Sequence, residues 1–397
     1  MLKCANRDPI DTLRIFKNHN LSPAFLVPTQ TGLEKSIMDA TYSIRQFLSD
    51  SKIHNYQNQK QGIEHKVIKK AILIAKDCIT ETKVSFYRPE TKNGDPRIWI
   101  YGLKENALNL DLLALLKGKN RLIIFNCSNL NITNFFQKER NLLNQLLDIE
   151  NPSLIAEELL EKCRQINKKG FIKTLRVGDT GVGFTFESLL GIQSNSSKSP
   201  DYKGIEIKTG RESKTIRPNL FSMVPNWDIS NLKNAEQILE KRGGYSPKFG
   251  PCKVIHHTIS NKENSYGLSL VVENNVINQI YKNNGQKEYD VKWLLSDFNQ
   301  RLKEKHSETF WISAKCEGDR GSSEETFHYK KIVHTGDVNL TIIPTLIELG
   351  IITVDYLLWE KLSGWQKYTK KKGYDYLWKI KPKDRHLLFN IQKEYQL

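Results

Sequence analysis

Residues 200–208 read Pro200-Asp201-Tyr202-Lys203-Gly204-Ile205-Glu206-Ile207-Lys208, and the fold follows from them. Glu206 and Lys208 are two apart, so on a strand both side chains leave one face, about 7 Å apart along it. Ile205 and Ile207 then point the other way, into a core. Lys203-Gly204 is a tight-reversal pair, which brings Asp201 on a preceding strand alongside Glu206. Two carboxylates at about 4 Å repel by roughly 1–4 kcal/mol at surface-like dielectric. A divalent cation removes that cost, and a hard ion such as Mg²⁺ prefers oxygen ligands. Lys208 beside it is equipped to hold an attacking water or to stabilise charge on a phosphate, which is the equipment of metal-assisted phosphodiester hydrolysis. Taken alone, Glu-x-Lys also reads as an amphipathic strand with a solvated charged face.

The surroundings narrow the reading. Upstream stands Gly178-Asp-Thr-Gly-Val-Gly-Phe-Thr-Phe-Glu187-Ser-Leu-Leu-Gly191-Ile; downstream, Lys208-Thr-Gly-Arg211 leads to Asn219-Leu-Phe-Ser-Met-Val-Pro225-Asn-Trp227. Asp…Glu-x-Lys is the signature of PD-(D/E)xK nucleases. The ordered series of Gly-rich turn, helix Glu, Pro-Asp-Tyr, Glu-x-Lys and Leu-Phe-Ser resembles the core of the MvaI/BcnI-type restriction endonucleases, relatives of the MutH mismatch-repair nickase. The resemblance extends over about residues 165–397.

It implies that Asp201 and Glu206 are metal ligands, with the carbonyl of Ile207 as a third protein oxygen and Lys208 as the catalytic lysine. Glu187 matches a glutamate that the family contributes from a helix beneath the site. Its own neighbourhood agrees, since Phe186, Leu189 and Leu190 are spaced to bury a helix face. A carboxylate among them needs a partner. The four glycines 178, 181, 183 and 191 permit left-handed or very close backbone at both helix ends.

Composition bounds the class. The chain has 397 residues, and 60 Lys+Arg against 44 Asp+Glu give a net charge of +16. That length suggests two or three domains, and the excess of cations favours a polyanionic partner, nucleic acid first. No apolar run approaches the roughly 18 residues of a membrane helix. The cysteines Cys4, Cys78, Cys127, Cys163, Cys252 and Cys316 form no Cys-x-x-Cys pair, so neither a zinc site nor a disulfide framework is expected. With no secretory signal at the N-terminus, a cytoplasmic location is the expectation.

The pattern predicts a mixed α/β (α+β) protein: a PD-(D/E)xK mixed sheet flanked by helices, plus an added N-terminal α+β domain. The domains are placed at 1–155, an accessory and DNA-binding or effector domain, and 156–397, the nuclease. Helical spacing marks Leu33 to Leu48 and, further on, Val67 to Ile79. Val84–Arg88 and Arg97–Tyr101 read as strands around a turn-rich loop, and Arg121–Asn126 as a buried strand. Asn134–Glu150 and Ser153–Lys168 read as amphipathic helices.

For DNA contact, Arg211, Lys214 and Arg217 follow the catalytic strand and suit phosphates. His256 and His257 suit bases or the scissile phosphate, and Lys315 matches a strand-edge lysine of the relatives. In the N-terminal part, Arg88, Lys92 and Arg97 surround an Asn-Gly turn. The family's guanine-reading arginine and its His-Gly are replaced by Thr353-Val-Asp355-Tyr-Leu-Leu and Lys372-Gly-Tyr-Asp-Tyr-Leu-Trp-Lys. Arg makes a bidentate guanine contact that Lys makes less rigidly, so the catalytic match carries no target sequence with it.

The resemblance implies a site-specific, Mg²⁺-dependent double-stranded DNA endonuclease of a restriction–modification system, with Mn²⁺ as a substitute ion. Water attacks phosphorus in line and leaves a 5′-phosphate. A monomer is expected, with a cognate DNA methyltransferase as genetic partner. Two alternatives stand beside it: a MutH-like repair nickase, and a DNA-binding protein that keeps the fold without cutting.

Overall fold

The computed structural model describes the chain except residues 1–3, 5–6, 20, 77, 140–141, 144–145, 148–153, 193–198, 213–215, 246–251, 284 and 362–371. It divides into two compact units. One comprises Met1–Pro152 with short returns at 339–342 and 386–390, and the other holds the rest.

The first unit carries seven strands: β1 (Ala24–Leu26), β2 (Met38–Asp39), β3 (Val67–Ala75), β4 (Cys78–Tyr87), β5 (Arg97–Ile100), β6 (Leu113–Gly118) and β7 (Arg121–Asn126). They form one sheet in the order β1-β6-β7-β3-β4-β5-β2. Its core gathers Leu73, Phe86, Ile98, Leu115 and Ile124 with Ile44 and Leu48, the last two from the helix Tyr42–Asp50. The expected helix over Val67–Ile79 is instead β3 and the start of β4. The reason lies in the run Ala71-Ile-Leu-Ile-Ala75, buried without interruption. β3 runs parallel to β7, Ala71 opposite Leu122, and a strand covered on both faces reads as continuous apolar sequence that helical spacing imitates. The helix expected from Asn134 covers Ile132–Lys138, and its expected end at Glu150 lies outside the described residues.

The second unit carries β8 (Ile172–Lys173), β9 (Glu206–Arg211), β10 (Asn219–Ser222), β11 (Gly244–Tyr245), β12 (Cys252–Ile259), β13 (Leu268–Glu273), β14 (Val276–Asn283) and β15 (Gln286–Leu294). β16 (Glu308–Glu317), β17 (Thr326–Val338), β18 (Ile352–Lys361), β19 (Lys372–Ile380) and β20 (Phe389–Gln396) follow. One sheet orders β20-β17-β16-β9, with β8 on β17; a second orders β10-β19-β18-β12-β11; β13-β14-β15 make a third.

The parallel pair β9/β16 sets Glu206 opposite Thr309 and Lys208 opposite Trp311. Beneath it, Ile205, Ile207, Phe310 and Ile312 pack with Leu159, Cys163 and Ile166 of the helix Leu154–Asn167, the apolar stripe that the sequence marks for Ser153–Lys168. The isoleucines flanking Glu206 thus anchor the strand in the core, and the pleat turns Glu206 and Lys208 to the other face. The fold is mixed α+β, as the sequence predicts.

Candidate active site

The site starts at a turn. Tyr202 and Ile205 exchange backbone hydrogen bonds at 2.9 and 2.8 Å. Between them Lys203 and Gly204 both have positive φ, 46° and 96°, the pattern of a type I′ reversal. Among the described residues, a single bridge stands where the sequence predicts a strand before β9. The turn is tied down from the helix Leu154–Asn167: the Tyr202 hydroxyl donates to Glu158 at 2.7 Å, and Lys203 Nζ reaches the same carboxylate. Asp201 is held from the other side, its Oδ2 accepting the Ile207 amide at 3.1 Å.

Glu206 is completely buried. Lys208 Nζ stands 2.6 Å from its Oε1 and Lys305 Nζ 2.8 Å from its Oε2. These are ion-pair distances, yet neither oxygen receives an aligned hydrogen bond. Burial pushes the Glu206 carboxyl above the usual carboxylate range; Lys208 pulls it back, and Asp201 pushes it up again. Lys305 also lies 3.8 Å from Asp201 Oδ1 and donates to the Ser199 carbonyl at 3.1 Å. The two carboxylates therefore converge on one cationic group.

Glu187 sits on the helix Gly181–Leu189, where Phe186 is buried in the core and Leu189 and Leu190 lie against it. Its carboxyl is raised, first by burial and then by Asp201, while Lys208 acts the other way. That electrostatic coupling joins Glu187 to the same constellation. The Gly-rich turn ahead of this helix is shaped by internal packing. A side chain on Gly181 would meet the Arg176 carbonyl at 2.4 Å, and Gly178, at φ 103°, donates its N–H to the Gly321 carbonyl at 2.9 Å.

Among the described residues no group of three or more His, Cys, Asp or Glu is arranged to hold a metal. What Asp201 and Glu206 offer is two carboxylates and, through Ile207, a backbone carbonyl: a set of hard oxygens only, with both Glu206 oxygens lacking an aligned donor. This donor set fits a hard divalent ion that completes its shell with water.

The other residues singled out from the sequence are spread over the unit. Arg211, at the end of β9, is nearly buried and pairs with both oxygens of Glu325 at 2.6 and 2.7 Å. Lys214 lies outside the described residues. Arg217 donates to Thr353 at 2.6 Å, to Thr258 at 2.8 Å and to Asp355 at 3.0 Å, and Lys379 meets the same Asp355 at 2.9 Å. This polar network lies on the second sheet, where β12 sets His256 opposite Leu357 and His257 opposite Tyr356. The His257 ring lies 4.0 Å from that of Tyr266, and burial lowers its pKa. Lys315 is solvent-facing on β16, 3.6 Å from Glu317. Glu187, Asp201, Glu206 and Lys208 thus come together, while Arg211, Arg217, His256, His257 and Lys315 make their contacts elsewhere.

Two participants escape sequence reading. Lys305 arrives from the last turn of the helix Leu295–His306, about a hundred residues downstream, and Lys-rich helix ends are too common to signal a site. Next to it, His306 is fully buried between the Leu220 carbonyl (2.8 Å from Nε2) and the Thr309 hydroxyl (3.0 Å from Nδ1). A carbonyl only accepts, so Nε2 carries the proton and Nδ1 accepts from Thr309.

The geometry agrees with what comparison finds. A search of curated protein sequences gives no match. Among solved structures, restriction endonuclease MvaI in complex with its cognate DNA substrate is similar at a TM-score of 0.53 and 22% identity, covering 62% of this chain and 99% of that one. MvaI without DNA gives the same identity and coverage at a TM-score of 0.38. The first of these likenesses is one of fold. The model of the MvaI/BcnI restriction endonuclease family matches residues 160–389, a range that includes the turn, both carboxylates and Lys208. The chain belongs to the MvaI/BcnI restriction endonuclease family.

Proposed function

We propose that the chain cuts double-stranded DNA at a specific sequence, with Mg²⁺ or Mn²⁺ as the required ion and 5′-phosphate ends as product. Membership of a restriction endonuclease family gives the class of activity. The observation that carries the finer reading is the buried Glu206 carboxylate, flanked by Lys208 and sharing Lys305 with Asp201.

Asp201, Glu206 and the Ile207 carbonyl would hold the ion, which supplies positive charge beside the phosphate and makes water a better nucleophile near neutral pH. The Lys208 side chain stays 25% exposed, so its ammonium can orient the attacking water or meet a phosphate oxygen. Glu206, ionised only against its burial, gains most from an added positive charge, and Asp201 is set by the Ile207 amide to share it. Glu187 contributes a further carboxyl, half out of water, that holds its proton above the usual range and is placed to move one at the site.

Net charge supports DNA as the partner. In the second unit, the network that Arg217, just ahead of β10, makes with Thr258 of β12 and Asp355 of β18, joined by Lys379 of β19, is the proposed sequence-reading surface, with His256 and His257 on the same sheet. The first unit is proposed as an accessory DNA-contact domain. Its support is a cavity of about 660 Å³ lined by Lys52, Lys69, Lys117, Lys119 and Arg121, a concentration of cations suited to phosphates. A monomeric enzyme and a cognate methyltransferase complete the reading.

Supercoiled plasmid incubated with the full chain and Mg²⁺ should give discrete linear fragments whose mapped ends carry 5′-phosphate at one sequence. Open circles as the end point would assign a nickase instead. Intact plasmid across Mg²⁺ and Mn²⁺ concentrations would contradict cleavage altogether.

A further inference from the structure

We propose that Lys305 is a tethered competitor for the cation: its ammonium clamps Asp201 and Glu206 while no ion is bound and must withdraw before one enters. The inference rests on the reading of these two carboxylates as the ion's ligands.

Lys305 Nζ is 2.8 Å from Glu206 Oε2 and 3.8 Å from Asp201 Oδ1. Its side chain is 11% exposed. A lysine in the last turn of a helix is ordinarily explained by the helix dipole, which it serves from solvent; Lys303, two residues earlier, is exposed. Lys305 instead turns inward.

Its backbone is held there by its neighbour. His306 is fixed between the Leu220 carbonyl and Thr309, and Thr309 is the residue opposite Glu206 in the β9/β16 pair. The root of Lys305 is therefore in register with the carboxylate it meets, while its four-carbon stem leaves the head able to move. The Ser199 carbonyl, 3.1 Å from Nζ, gives that head a second partner beside the site.

The charges say why it must move. With Asp201, Glu206, Lys208 and Lys305 the cluster is balanced. A divalent ion between the carboxylates would stand within a few ångström of Lys305 and be repelled by it. An ammonium in this place offsets the repulsion between buried Glu206 and partly exposed Asp201 until the ion arrives, and it lowers the apparent affinity for that ion by occupying its ligands.

The test is Mn²⁺ binding to the DNA-free, full-length protein at pH 8, with free Mn²⁺ read by electron paramagnetic resonance. Lys305→Met should bind Mn²⁺ roughly tenfold more tightly than the wild type, and Lys305→Gln should follow in the same direction. The metal-free Met variant should also melt lower and gain more from Mn²⁺ than the wild type gains. Equal or weaker Mn²⁺ binding by both variants overturns the competitor role. Should Lys305→Met fail to fold, the Gln variant alone decides. The double substitution Asp201→Asn, Glu206→Gln separates the two ideas. If it leaves wild-type Mn²⁺ binding intact, the ligand assignment itself falls and the competitor role with it. If it abolishes binding while the Lys305 variants match the wild type, only the competitor role falls.

Discussion

Arg211 and Glu325 form a bidentate pair, Nε to Oε1 at 2.6 Å and Nη2 to Oε2 at 2.7 Å, with their side chains only 10% and 1% exposed. The pair ties the end of β9 to the segment entering β17, and Glu325 also accepts the Gly321 amide at 2.8 Å. A guanidinium so engaged stiffens β9. Its place in the chain alone suggests a phosphate contact.

Arg211→Met should therefore act on stability. It leaves Glu325 buried without its partner, which costs about 3–5 kcal/mol, measurable as a lower urea midpoint. The pair holds Glu325 below the usual carboxylate range, so its contribution is present above about pH 4.5 and is lost as pH falls through the depressed value. A variant that melts like the wild type but binds DNA with a weaker salt dependence would restore the phosphate role.

The reversal at Lys203-Gly204 should be intolerant at its second position only. Gly204 has open space around it but a φ of 96°, so Gly204→Ala costs about 1–2 kcal/mol through backbone strain and loosens Asp201. Lys203→Asn, which suits positive φ, should melt within about 0.5 kcal/mol of the wild type. Equal melting of both variants would show that the turn does not need its left-handed residue.

His306 predicts a pH dependence. Burial, then Lys208, drives its pKa from 6.5 down to about 3, so the folded protein keeps the ring neutral where the unfolded chain protonates it. The stability this represents is complete above about pH 6.5 and drains away as pH falls toward 3. Thermal melts from pH 7.5 to 4.5 should show this decline, and His306→Gln, which does not titrate, should flatten it. An unchanged slope in the variant would assign the decline to other groups.

The candidate site is legible in the sequence because its residues are local. Asp201, the turn, Glu206 and Lys208 fall within eight residues, and strand alternation alone sets the last two side chains on one face. The runs Arg97–Tyr101 and Arg121–Asn126 likewise read as strands, and the structure has them at Arg97–Ile100 and Arg121–Asn126. Two kinds of feature stayed hidden. One is pairing with distant partners: β3 is a strand because β7, about fifty residues on, pairs beside it. The other is pairing across the fold, since nothing near Lys305 in sequence announces Glu206, and nothing near Arg211 announces Glu325. Arg211, which its position in the chain suggests for DNA, is engaged by a carboxylate that only folding brings near.

The most direct test of the central claim is the single-turnover cleavage rate of Glu206→Gln at saturating Mg²⁺, beside a melting curve showing that the variant is folded. The charge is removed and the shape kept, so the rate should fall on the order of a hundred- to a thousandfold. A folded Glu206→Gln that cuts DNA at the wild-type rate would contradict the account.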